Sequence, residues 1–155
     1  MTVLAEVGRA LAAQVTAAVP GWVRRSVAHV LATTGATAAL DAAVETAAAE
    51  ASGVVGSALA ELAEADVDAH RSTPLEIVRD AVRFPTAVLR QAGVAPVRRE
   101  RFAVERFPDD LYGLTPASLA ALDPSLADVA VAWGAAKAMA HRARHRPSGP
   151  GVAPA

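Results

Sequence analysis

The sequence predicts an all-α fold: a single-domain bundle of five to six helices with a long ordered loop around residues 94–114. Three observations carry this expectation. Apolar residues recur every three or four positions through most of the chain, the spacing of a helix stripe rather than the alternation of a half-buried strand. Hydrophobic residues make up 53% of the chain but aromatics only 4%. Much of the apolar content is alanine, which favours helix and supplies little volume, so the core should be closely packed helices with thin side chains. Finally, proline, glycine and hydroxyl residues stand where helices should start and stop. A chain of 155 residues is long enough for one sizeable core.

In chain order, Val3, Val7, Leu11, Val15 and Ala18 form the stripe of a first helix that should end before Pro20 and Gly21. A second helix should begin near Pro20, with Val23, Val27, Val30 and Leu31 on one face, and end at Thr33, Thr34 and Gly35. From Ala36 to about Asp66 a long stripe runs through Leu40, Val44, Ala47, Ala51, Ala58 and Leu62. Within it, "SGVVGS" from Ser52 to Ser57 either splits the helix or lets a neighbour approach closely at Gly53 and Gly56. The polar run from Ala65 to Ser72 is the most plausible internal boundary.

The clearest segment is Ser72 to Gly93. Thr73, Pro74 and Glu76 spell a capping box with proline at the first helical position, and Gly93 with Pro96 supplies the stop. Leu75, Val78, Val82, Pro85, Leu89 and Ala92 share one face, and because the apolar phase continues through Pro85 the segment is expected to be one kinked helix. Val94 to Gly113 fits neither period and is read as ordered loop, with one helical turn at Asp109 to Tyr112. Thr115–Pro116 and Asp123–Pro124 repeat the cap-then-proline device, opening a short helix to about Leu122 and then the final helix. That last helix is apolar nearly all round from Leu126 to Ala136, so it is expected to be buried and, with Ser72 to Gly93, to form the centre of the bundle. Residues 1–146 make the helical domain, and 147–155 read as a disordered Pro/Gly tail.

The formal net charge of −1 is unevenly spread. Residues 1–70 carry three basic and eight acidic residues, a balance of −5, and residues 71–155 carry twelve and eight, a balance of +4. An acidic half thus precedes a cationic one, which fits either a basic binding face or two halves that pack with complementary charge. The absence of cysteine rules out disulfides and thiol catalysis. No apolar run is long enough to span a bilayer, and the N-terminal run is interrupted by Glu6 and Arg9, unlike a signal peptide. The expected location is the cytoplasm, and the weight on alanine, arginine and valine is that of a high-GC bacterial genome.

No catalytic, nucleotide or metal signature stands out, so the chain reads as non-enzymatic and no cofactor is expected. His141 and His145 have a spacing that can bind a metal, but two ligands make a weak site and no metal is assigned. Asp109 and Asp110 after a proline read as a turn and cap rather than acid chemistry. The expected function is a protein–protein interaction or regulatory module whose partner is another protein or a second copy. Its surface is the 94–113 loop, through Arg98, Arg99, Arg101, Phe102, Arg106, Phe107 and Tyr112, since arginine and aromatics anchor interfaces. The alternative is a nucleic-acid-associated accessory protein using Arg142, Arg144 and Arg146 at the cationic end of the last helix.

Overall fold

The computed structural model describes residues 3–36, 39–64 and 73–145; the Ala65 to Ser72 boundary, Arg146 and the 147–155 tail lie outside them. The described residues form a helical bundle without strands, in seven helical segments. These are α1 (Val3–Thr34), α2 (Asp41–Glu64), α3 (Pro74–Asp80), α4 (Arg83–Gln91), α5 (Arg101–Arg106), α6 (Leu119–Leu122) and α7 (Leu126–Arg144). No helix among the described residues is long and apolar enough to cross a membrane.

The centre of the bundle is α1, not the last helix. It contacts α2, α4, α6 and α7 and buries Leu11, Val15, Val19, Trp22, Val23, Ser26, Val27 and Val30. The expected break at Pro20 does not occur. Proline in a helix removes the bond to the carbonyl four residues back, which here is Thr16, and α2 supplies a replacement: Ser52 Oγ donates to the Thr16 carbonyl at 3.3 Å. Four residues further along the same face of α2, Gly56 lies against Thr16, whose methyl is 3.2 Å from where a Cβ would stand. The "SGVVGS" run therefore does not split α2; its serine and second glycine dock the helix onto α1 at the proline.

The other α1–α2 contacts run the same way. Gly8 of α1 meets Ala63, and Arg24 forms a bidentate pair with Glu45 at 2.7 and 2.9 Å, so the two helices are antiparallel. The hydrogen bond from Arg24 holds the exposed Glu45 carboxyl below its ordinary range. On its other side Gly8 faces the Trp133 ring of α7, with 3.0 Å left for a Cβ. One glycine thus lets α1, α2 and α7 converge.

From Thr73 to Gly93 the segment expected to be one kinked helix folds as two. Thr73 caps α3 with both halves of the capping box present. The chain then turns at Ala81 and Val82, where the Ala81 carbonyl that Pro85 cannot serve accepts from Phe84 N at 3.1 Å. The proline thus sits in the first turn of α4, where a missing N–H costs little, and its ring is fully buried. The stop is as expected: Gly93 takes φ +76°, and Val94 N→Leu89 O with Gly93 N→Arg90 O completes a Schellman motif.

Two later starts also differ from expectation. Thr115 does not cap a helix because its hydroxyl donates to Asp110, and Ser118 caps α6 instead. Asp123 accepts from Ser125 N at 2.9 Å, a backbone hydrogen bond that lowers its pKa, just before α7. Although α7 is apolar nearly all round from Leu126 to Ala136, it buries only Leu126, Trp133 and Ala136. Val131 is 73% exposed and Met139 60%. Each alanine removes so little area from water that one packed face suffices to hold the helix.

Ser52→Ala should lower the unfolding free energy by roughly 0.5–1.5 kcal/mol in urea titration, and by much less in a Pro20→Ala background, where the restored N–H reclaims the Thr16 carbonyl; equal losses in both backgrounds would disprove the replacement bond. Gly53 has open space around it, so Gly53→Ala should raise stability by about 0.5–1 kcal/mol. Gly8→Ala should lower it, because overpacking against Trp133 and Ala63, of the order of 1–3 kcal/mol, outweighs the same helix gain.

Candidate functional site

Of the large apolar side chains in residues 94–115 only Val94 and Tyr112 are buried, so hydrogen bonds do much to fix the path of the segment. Tyr112 donates its hydroxyl to the Val94 carbonyl at 2.6 Å, and Val97 N donates to Leu111 O at 3.1 Å, closing the base of the loop. Arg99 spans its middle, donating through Nη1 to the Phe107 carbonyl at 2.7 Å. The Asp110 carboxylate, 4% exposed, accepts from Leu114 N, Thr115 N and Thr115 Oγ1 at 2.6–2.8 Å. Asp110 is thus a turn staple, as the residue pattern implied. The one helical turn lies at α5, not at Asp109 to Tyr112, where the chain makes two successive turns closed by Gly113.

This framework sorts the seven loop residues singled out from the sequence. Tyr112, 4% exposed, and Arg99 face inward and hold the loop, so neither presents a surface. Arg98 is exposed. Arg101 is exposed and paired with Glu105 one helical turn on, at 3.0 Å. Phe102 is 68% exposed on α5, which buries nothing. Arg106 and Phe107 point back toward α3 and α4.

Between the loop and those helices lies a cleft of about 550 Å³ lined by Arg79, Asp80, Arg83, Arg106, Phe107 and Asp109. A second, of about 680 Å³, continues past Arg83 and Asp109 to Thr86, Arg90 and Gln91. Sharing two residues, they form one trough along the polar side of α3 and α4. Arg79 and Arg106 both lie over the Phe107 ring, with guanidinium carbons 5.6 and 5.5 Å from its centroid, and Arg106 also approaches Phe102 at 5.9 Å. Arg83 stacks on Phe84 at 5.0 Å. Cation–π contacts orient these guanidinium groups without neutralising them, and among the described residues Arg83, Arg90 and Arg106 form no ion pair. Two of the carboxylates in the trough are already engaged, Glu76 by the Thr73 N–H and Asp110 by its turn. Beneath the far end, the Thr86 hydroxyl is buried with no partner among the described residues.

Arg79, Arg83 and Arg90 were not among the expected site residues, because a charged helix face reads as solvated. The only signal for them was their spacing on the side of α3 and α4 opposite the core. On α7, Arg142 and Arg144 are exposed on the last turn. The His141 and His145 rings stand 4.4 Å apart, but no group of three or more possible metal ligands gathers among the described residues.

No family model matches the chain, and no match was found among curated proteins or among solved structures. The geometry of the trough therefore carries the functional reading alone.

The one tyrosine of the chain provides a direct test of the loop's anchorage. Burial raises the Tyr112 phenol above its ordinary value of 10.0, with the nearby Arg90 charge opposing. A folded-state pKa above the unfolded one contributes stability that is complete below about pH 10 and is lost as pH rises through the folded value. Absorbance titration should place ionisation above the free phenol's midpoint, with loosening of the loop following it, and Tyr112→Phe should cost about 1 kcal/mol.

Proposed function

We propose that this protein is a non-enzymatic cytoplasmic interaction or regulatory module, and that the trough between α3–α4 and the 106–110 segment receives an extended segment of a partner protein. The observation that carries this reading is the pair of arginines, Arg79 and Arg106, laid over one half-buried phenylalanine at the mouth of an open cleft. Such a surface offers planar donors for partner carboxylates or carbonyls and an aromatic wall for apolar contact. The donors are held by ring stacking and by a loop whose backbone is tied at four places, so little ordering entropy remains to be lost on binding. Phe102, exposed beside Arg106, extends the same surface outward.

Co-purification tests this reading with residues that do not hold the fold. Phe102→Ala, Arg83→Glu and Arg106→Glu combined should leave helical content unchanged and release the partners that the unaltered chain retains. Loss of one well-packed arginine or aromatic anchor is worth roughly 2 kcal/mol, about thirtyfold in affinity. A triple variant that keeps every partner would overturn the proposal.

A further inference from the structure

A second surface lies on α7, away from the trough. The face turned out from the bundle consists of Asp128, Val131, Ala132, Ala135, Ala138, Met139 and Arg142, all exposed. Val131 at 73% and Met139 at 60% are the largest exposed apolar residues on the helix. The opposite side carries Trp133 and Ala136 into the core.

The order of these residues is symmetric about Ala135. Asp128 and Arg142 stand seven positions before and after it, Val131 and Met139 four before and after, and Ala132 and Ala138 three before and after. Seven and four residues are close to whole turns of helix, so the set shares one face. An antiparallel copy of the helix related by a two-fold axis at Ala135 would bring each member opposite its counterpart: Val131 against Met139, Ala132 against Ala138, and Asp128 against Arg142. Apolar residues would meet apolar ones and each carboxylate a guanidinium, twice over. A parallel arrangement would instead set Asp128 against Asp128 and Arg142 against Arg142. Neither Asp128 nor Arg142 has a side-chain partner within the described residues, and the alanines at the axis allow two backbones to approach at the short end of helix packing distances. Two-fold pairing through one self-complementary patch is also the commonest way for a chain to associate with itself.

We infer that the exposed face of α7 is an interface with a second copy of this chain, packed antiparallel about a two-fold axis at Ala135 with Asp128 of each copy paired to Arg142 of the other. This proposal does not rest on the reading of the trough, which lies on other elements.

Sedimentation of the full chain over a range of concentrations tests it through a charge swap. The unaltered protein should dimerise. Asp128→Arg alone and Arg142→Asp alone should each weaken the dimer by roughly tenfold, because each places two like-charge pairs across the axis. The two changes combined should restore the original affinity within about threefold, since the pair is regenerated with its sign reversed. Ala135→Glu, which sets two carboxylates facing each other on the axis, should leave a monomer with unchanged circular dichroism. A wild-type chain that stays monomeric at the highest concentration would overturn the proposal, as would a dimer indifferent to these substitutions. A dimer weakened by the single changes but not rescued by their combination would also overturn it.

Discussion

The architecture depends on α1 running as one helix through Pro20. Pro20 stands in the middle of a helix of 32 residues and leaves the Thr16 oxygen without its usual donor. In isolation that position would fray or end the helix, and the apolar residues on either side would lose their common axis. Ser52 removes the difficulty by donating from α2, and Gly56 lets α2 approach closely enough for it to do so. Helix continuity in α1 is therefore supported by tertiary contact: the second helix satisfies the carbonyl that the proline leaves open and covers the apolar face on either side of it. The valines from Val15 to Val30 can then line a single core, against which α4, α6 and α7 are laid.

The trough is built on a different principle. Its walls contain few large buried side chains, and its shape comes from backbone groups satisfied by Arg99, Asp110 and Tyr112. These interactions are directional, so they fix positions without filling space, and an open cleft survives beside them. With the inward-facing Arg99 and Tyr112 holding the frame, the exposed Arg106 and Arg83 are available for contact, while the half-buried Arg79 donates Nε to the Pro116 carbonyl at 3.5 Å and backs the Phe107 ring. Rigidity and exposure are divided between residues of the same chemical type.

What could be read in the sequence, and what could not, follows from the range of the interaction involved. The Thr73 capping box and the Gly93 stop are local, and both stand as the residues spell them. The apolar stripes of α1 and α2 are local too, and they name Leu11, Val15, Val23, Val27, Val30, Ala47, Ala51 and Leu62 of the core while passing over Val19, Trp22, Ala48 and Leu59. Pro20 was misleading because its rescue comes from Ser52, in another helix. Pro85 was misleading in the opposite direction, since the continuous apolar phase hid a turn at Ala81 and Val82. Alanine obscured α7: a run such as Val129 to Ala136 has the hydropathy of a buried helix but too little area to require burial on every side. At the trough, Arg106 and Phe107 could be named from composition, whereas Arg79 and Arg83 gained meaning only from the loop folding across them.

The junction at Gly8 carries a consequence for chain entropy. The α1–α2 seam joins segments separated by a short connection, while the contact of Gly8 with Trp133 closes the chain over more than a hundred residues. Closing the longer loop costs more chain entropy than closing the shorter one, so the contact with Trp133 is entropically the more demanding of the two. The two tryptophans of the chain divide between these contacts, Trp22 lying in the core along α1 and Trp133 at the seat of α7 on Gly8.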